Sequence, residues 1–323
     1  MLYPNTPALV LAPMDGITDA PMRALQGAAG AFTFAVSEFL RVSNDPLPKK
    51  VFLRDVPELL TNCRTVTGLP VQVQILGGDP GRMARSALAA VAAGAQAIDI
   101  NFGCPAPTVN RNDGGATLLQ HPHRIREVIR AVRDVVSFQI PVSAKLRLGW
   151  ECISDIHLNA EMAAEGGASW LTIHARTRAQ GYSPPVFWKP IGEVRLSTGL
   201  PVMANGDIWT LDDFRRCQDE TGCLHFMIGR GALANPRLSR QIASELGIVR
   251  ESWQDTDWIP LLSSFVQFAD PHTPRSLMRL KQWMAIASKF GGFPHFDHLK
   301  RTTSVDEFFE ALRACEESSL LAA

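Results

Sequence analysis

Eight short apolar runs, each followed by a stretch long enough for a helix, recur along the first three quarters of the chain: 8–12, 34–37, 71–76, 97–101, 142–146, 171–174, 202–205 and 225–228. A surface strand alternates apolar and polar residues, whereas these runs are apolar nearly throughout. That is the pattern of strands buried on both faces. Helix signals fall between them. Asp79 and Pro80 stand as N-cap and first helical residue of a segment continuing through Met83, Leu88, Val91 and Ala92. Over about 124–136, Ile125, Val128, Ile129 and Val132 share one face, and further helices are expected over 155–165 and 210–221. Strands alternating with helices mean an α/β fold with a parallel sheet, and eight such units suit a closed (β/α)8 TIM barrel. A doubly wound sheet is the alternative, but no glycine fingerprint follows the first strand.

With 323 residues, 46% of them hydrophobic, the chain has room for one large barrel and an appendage. The rhythm changes after about residue 246. Trp253, Trp258, Phe265, Phe268, Trp283, Phe290, Phe308, Phe309 and Leu312 punctuate amphipathic stretches without strand candidates. We read a barrel over 1–245 and a small all-α domain over 246–323, with the boundary between Ala243 and Trp253. Lys+Arg and Asp+Glu are equal at 32 each, so no global charge points to a polyanion. Within 270–301, however, Arg275, Arg279, Lys281, Lys289, Lys300 and Arg301 face only Asp270 and Asp297, which makes a cationic helical face an even alternative to a solvated surface. Cys63, Cys104, Cys152, Cys217, Cys223 and Cys315 form no CxxC pair, so neither zinc nor a disulfide framework is expected. The N-terminus lacks the pattern of a signal peptide, and no apolar run is long enough to span a bilayer; the expectation is a cytoplasmic protein.

Polar residues crowd the C-terminal ends of the strand candidates, where a barrel gathers its active site. They include Pro13, Met14 and Asp15, Gln74, Asn101, Lys145 and Arg147, His174, Asn205-Gly206-Asp207 and Gly229-Arg230-Gly231. Any one of them could be a cap or a turn residue; their joint placement carries the reading. The loops after the last two strands commonly bind phosphate through backbone N–H groups at a helix N-terminus, and Arg230 adds a forked donor. Lys145, on an inward position, is hard to explain as packing because an unpaired buried ammonium is costly. Gln74 and His174 suit a planar heteroaromatic ring. Cys104 follows the fourth strand in Asn101-Phe102-Gly103-Cys104-Pro105, where Gly103 admits close backbone approach and Pro105 stiffens the exit. A thiol so directed serves a substrate as nucleophile or proton donor, or is a small core residue. Phosphate at one edge, cation and amides near a ring and a thiol opposite suggest a flavin mononucleotide (FMN) site.

These strings resemble the tRNA-dihydrouridine synthases. The resemblance covers nearly the whole barrel, from Ala12-Pro13-Met14-Asp15-Gly16 through Val73-Gln74-Ile75, Asp99-Ile100-Asn101-Phe102-Gly103-Cys104-Pro105, Lys145-Leu146-Arg147 and His174-Ala175-Arg176 to Asn205-Gly206-Asp207 and Gly229-Arg230-Gly231. Glu38-Phe39-Leu40-Arg41, Gln180-Gly181-Tyr182 and Arg279-Leu280-Lys281-Gln282-Trp283 look like the C-type subgroup, which acts on the sixteenth nucleotide of tRNA. The resemblance implies that NADPH reduces FMN and that hydride then reaches C6 of uracil. It casts Cys104 as general acid to C5, with Lys145 stabilising negative charge. Pro13, Met14, Asp15, Gln74, His174 and the two glycine loops would hold the flavin. Asn101 and Arg147 would position the uracil, with Arg41, Tyr182, Arg279, Lys281 and Trp283 toward tRNA. On helical spacing, positions 275, 279 and 283 can share one RNA-facing side. The chain departs from the family pattern at Pro107, where many members have Lys, and near Ser288, where the subgroup has Arg. No metal and no obligate protein partner is expected. Two other readings compete: a flavin oxidoreductase for a small molecule such as dihydroorotate, and a non-catalytic tRNA-binding folding factor.

Overall fold

The structure is a computed structural model that describes residues 2–111, 113–249 and 257–322. Nine strands run in order: β1 (Ala8–Leu11), β2 (Phe34–Val36), β3 (Leu40–Arg41), β4 (Val71–Leu76), β5 (Ile98–Asn101), β6 (Val142–Arg147), β7 (Leu171–His174), β8 (Val202–Asn205) and β9 (His225–Ile228). All pair in parallel. The sheet closes because β1 pairs with both β9 and β2, and β2 pairs with β4. Eight strands thus make the barrel, while two-residue β3 only extends the end of β4, Leu40 opposite Ile75.

Strand periodicity divides each run between two environments. Val71, Val73 and Ile75 of β4, Ile98 and Ile100 of β5, and Val142, Ala144 and Leu146 of β6 belong to the large cluster under the outer helices. Their alternates, Gln72, Gln74, Asp99, Asn101, Ser143 and Lys145, form a polar column inside the barrel, the first five linked by hydrogen bonds and Lys145 bonded to Asn205. The other side of the interior is apolar: Ala8, Val10, Phe34, Val36, Trp170, Met203 and Met227 pack together there. The barrel therefore has a greasy wall and a wet wall, and the wet wall rises to Cys104 and Lys145.

The outer helices begin where local chemistry requires. Asp79 accepts from the N–H of Arg82 at 2.7 Å and opens Pro80–Ala92. Met83 of this helix is buried and Leu88 is exposed. Pro122–Val135 buries Ile125, Val128, Ile129 and Val132. Thr210 and Asp213 form a reciprocal capping box at the start of Leu211–Thr221.

After the barrel come helices Trp258–Phe268, Pro274–Gly291, Phe296–Leu299 and Val305–Ala322. Trp253, and with it the upper end of the expected boundary, lies outside the described residues. The helices bury Leu262, Phe265, Leu280, Trp283, Met284, Phe308 and Leu312 in a cluster that also takes in Met22, Leu25 and Leu233 of the barrel. No helix among the described residues is long and apolar enough to cross a membrane.

Candidate active site

Strand register brings the polar residues level with one another. Asn101 stands opposite Lys145, Arg147 opposite His174, His174 opposite Asn205, and Asn205 opposite Met227. Inward side chains at one height form a layer. Above it opens a cavity of about 630 Å³, lined by Pro13, Met14, Asp15, Asn101, Cys104, Lys145, Arg147, His174 and Tyr182, and by the loops at 205–209 and 229–231.

Cys104 is half-buried in the loop after β5. The side-chain oxygen of Asn101 accepts from the N–H groups of Gly103 and Cys104, each at 2.9 Å, and so caps the turn that presents the thiol. Close approach is permitted by Gly115 rather than by Gly103. Gly115 has φ +61, and a Cβ there would lie 3.0 Å from the Cys104 carbonyl, whereas one at Gly103 would meet nothing nearer than 3.5 Å. Burial pushes the thiol pKa up, opposed by an N–H from Ala106 and by the charges of Arg147 and Lys145. At neutral pH the group is an acid rather than a thiolate.

Lys145 donates to Asn205 Oδ1 at 3.2 Å. Burial, with Arg147, brings its pKa down to about 8, while Asp99 and Cys104 act in the other direction. His174 is held well below its ordinary pKa by burial and then by Arg147, Lys145, Arg176 and Arg230, so it is a neutral imidazole. Its Nδ1 is buried without a protein partner. On a cavity wall, such an atom is a place for a ligand's hydrogen bond.

The far end of the cavity is cationic. Arg230 sits over the rings of Tyr182, Trp209 and Phe290, at 4.7, 5.0 and 5.3 Å from their centres, and Trp209 stacks on Phe290 at 4.3 Å. Its Nη2 reaches Asp207 at 3.3 Å, and Arg176 grips the same carboxylate with both Nη groups. Gly206, at φ +121, turns the chain beside His174. Arg147 is a strut: Nε donates to Gly103 O, and Nη1 donates to the carbonyls of Thr177 and Gly181, tying the Cys104 loop to the Tyr182 loop.

Residues 10–307 match the family described as Dihydrouridine synthase (Dus). The chain belongs to that family. It is 43% identical over 295 residues to the tRNA-dihydrouridine(16) synthase of Shewanella oneidensis, a match covering 91% of this chain and 92% of that one. The protein of the same name from Neisseria meningitidis is 39% identical over 314 residues, covering 95% and 94%. Among solved structures, histamine dehydrogenase from Rhizobium superposes with a TM-score of 0.55 at 13% identity, over 81% of this chain and 48% of that one. A 2-naphthoyl-CoA reductase gives 0.57 at 11% identity, over 74% and 50%. At such identities the likeness is one of fold.

Most of the residues expected at a dihydrouridine synthase site do converge on the cavity, and several take different duties. Gln74 lies one layer below it, its amide bonded to Asp99 at 2.6 Å and to Asn101 at 2.9 Å, so it supports the floor. The Asp207 carboxylate faces two guanidinium groups; it orients Arg230 and is itself unsuited to a phosphate. The helix after β9, Arg230–Ala234, is a single turn, which leaves the phosphate reading to loop backbone and to Arg230. Arg41 stands outside the cavity and donates to Thr108 O at 2.9 Å, bracing the turn that follows Cys104-Pro105.

The expected RNA-facing side of the long C-terminal helix does not hold. Trp283 is 1% exposed and donates to Leu233 O at 2.9 Å, so it is core. Arg279 is buried against Asp19 at 2.9 Å, and Lys281 donates to Thr302 O. Of the four-residue series, only Arg275 is exposed. Packing of the helix on the barrel consumes the other two positions. Residues to which the sequence analysis gave no role at the site include Asp99, Ser143 and Trp209. The spacing of Asp99 two before Asn101, and of Ser143 two before Lys145, was the available signal for the first pair.

Proposed function

We propose that this protein reduces the C5=C6 bond of a tRNA uridine, at the sixteenth nucleotide, to 5,6-dihydrouridine, with FMN as bound cofactor and NADPH as reductant. One observation carries the reading: the Cys104 thiol and the Lys145 amine, both half-buried, face one cavity whose cationic end is an arginine between glycine loops. The residues fit a flavin mononucleotide. His174 Nδ1 lacks a polar partner at the wall, Lys145 offers a cation beside it, and Gly206, Gly229 and Gly231 line the cavity near Arg230. Those residues would hold the group, with Pro13, Met14 and Asp15 along one side. Bound there, it supplies the hydride that arrives at C6 of the uracil, NADPH having reduced it.

The protein's own part is positioning, charge and one proton. Cys104 gives its proton to C5 and must be protonated to do so, which is what burial secures. Lys145 places positive charge where the pyrimidine carbonyl gathers negative charge. Arg147 and Asn101 keep the two loops that carry Cys104 and Tyr182 in fixed relation. A uridine stacked within folded tRNA cannot reach this floor and has to be extruded into the mouth. There Tyr182, 58% exposed, offers a ring face. Residues 1–245 would carry the chemistry and 246–323 would grip RNA, in the cytoplasm where tRNA is. The test is mass spectrometry of tRNA after incubation with protein, FMN and NADPH. A gain of two hydrogens at nucleotide 16 is expected; unmodified tRNA, or modification at another nucleotide, sinks the assignment.

A further inference from the structure

Asp99 takes no part in the reaction as drawn, yet the side-chain hydrogen bonds that join Gln72, Ser143, Gln74 and Asn101 all run toward it. Gln72 Nε2 donates to Ser143 Oγ at 2.9 Å, and Ser143 Oγ donates to Asp99 Oδ1. From the other side, Gln74 Nε2 donates to Asp99 Oδ2 at 2.6 Å. Gln74 therefore turns its oxygen to Asn101, whose Nδ2 donates to it at 2.9 Å. Asn101 in turn presents its oxygen to the N–H groups of Gly103 and Cys104. Asp99, Gln74 and Asn101 are all buried.

The relay runs between two ends of fixed character: loop N–H groups that only donate, and Asp99 at the root. An amide side chain is symmetric in shape and can face a neighbour with oxygen or nitrogen, whereas an ionised carboxylate only accepts. A carboxylate at the root forces Gln74 to face it nitrogen-first, which forces Asn101 to face Gln74 nitrogen-first. Only then is an acceptor left for the two loop N–H groups. Were the amides reversed, Asn101 would aim N–H at N–H and the loop would lose its cap. We infer that Asp99 is a positioning residue that fixes the polarity of the relay at its root and thereby holds the Cys104 loop for proton delivery. The inference rests on the thiol acting as the acid. Burial raises the Asp99 pKa to about 6, with Ser143, Gln74 and the charge of Lys145 opposing, so at pH 7 and above it is in its accepting form.

Two variants test this. In Asp99→Asn the root can donate as well as accept, and the polarity is specified from the loop end alone. In Asp99→Asn combined with Gln74→Glu, the carboxylate moves one link along. The new amide at position 99 then donates to the new carboxylate at position 74, which also accepts from Asn101. The direction is again specified from both ends, with the same charge. Cys104 alkylation by iodoacetamide, followed peptide by peptide in the flavin-free protein, reads the loop without any turnover. The single variant should alkylate roughly tenfold faster or more, and its dihydrouridine formation per bound flavin should fall by about 10- to 100-fold while NADPH oxidation persists. The double variant should return alkylation toward the native rate. Hydrogen exchange in the native protein gives an arm that needs no variant: the Gly103 and Cys104 amides should exchange more slowly than other amides of the loop. Native-like alkylation in the single variant, no recovery in the double, or unprotected amides would each overturn the inference. A native protein that makes no dihydrouridine but shows this alkylation pattern would sink the proposed reaction and leave the relay standing.

Discussion

Cys104 and Lys145 share one cavity, and burial drives both toward their neutral forms, with opposite consequences. A neutral thiol keeps the proton it has to give; a neutral amine has lost the charge it has to offer. The window in which both work closes on the alkaline side, because the Lys145 pKa is lowered to about 8 while that of Cys104 is raised. We expect the single-turnover rate of tRNA reduction to fall as pH rises through about 8. Lys145→Arg, whose guanidinium stays charged, should shift that limb upward even where it lowers the maximum. A profile flat to well above about pH 9 would remove Lys145 from the reacting charge. Cys104→Ala should keep FMN and its reduction by NADPH while losing dihydrouridine formation by ~10²–10⁴, the usual worth of general acid catalysis. Equal loss of both half-reactions would make the cysteine structural.

The element that ties the cationic end of the cavity to the C-terminal helices is the cluster around Arg230. Its guanidinium is aimed by Asp207 from the loop after β8, by the Tyr182 and Trp209 rings, and by Phe290 near the end of Pro274–Gly291. If it meets phosphate, Arg230→Ala should weaken FMN binding by ~1.5–3 kcal/mol, the range of a charge-assisted hydrogen bond. Phe290→Ala removes one ring from a partly exposed cation and should weaken it by ~0.5–1 kcal/mol. Flavin titration of the flavin-free protein measures both. Full flavin content with collapsed turnover in Arg230→Ala would place the phosphate elsewhere.

Across the whole molecule, the C-terminal helices are joined to the barrel by a shared core and by charge. Arg279 meets Asp19, the N-cap of helix Ala20–Ala28, and Arg275 approaches the same carboxylate at 3.4 Å from the surface. Arg279→Met leaves a buried cap carboxylate without its nearest cation. It should cost about 2–4 kcal/mol by denaturant titration, against less than ~1 kcal/mol for exposed Arg275→Gln. Similar small losses from both would show the junction to be held by apolar contact alone. Cations that remain exposed here include Lys289, beside the Phe290 ring, and Arg301, and these are the ones our proposal would set against RNA. Replacing both with Gln should weaken tRNA binding and lower its log–log salt slope by about one unit per lost phosphate contact. An unchanged slope would move the RNA to another face.

Strand and helix content was legible in the sequence because it is local: the 171–174, 202–205 and 225–228 runs and the cap at Asp79 depend on neighbours a few residues away. The barrel followed from counting such units, and the site from the rule that puts polar strand ends at one mouth. Tertiary structure decided what no local pattern encodes. Helical spacing put residues 275, 279 and 283 on one side, but only the packing of that helix against Met22, Leu25 and Leu233 turned Trp283 and Arg279 inward. An apolar run with Asp99 or Ser143 inside it reads as a buried strand, and only closure of the barrel joins those residues into a column beneath Cys104. Strength of local pattern fixes what each segment is; which side chains meet depends on contacts between residues tens to hundreds of positions apart, and those are set by burial of the assembled whole.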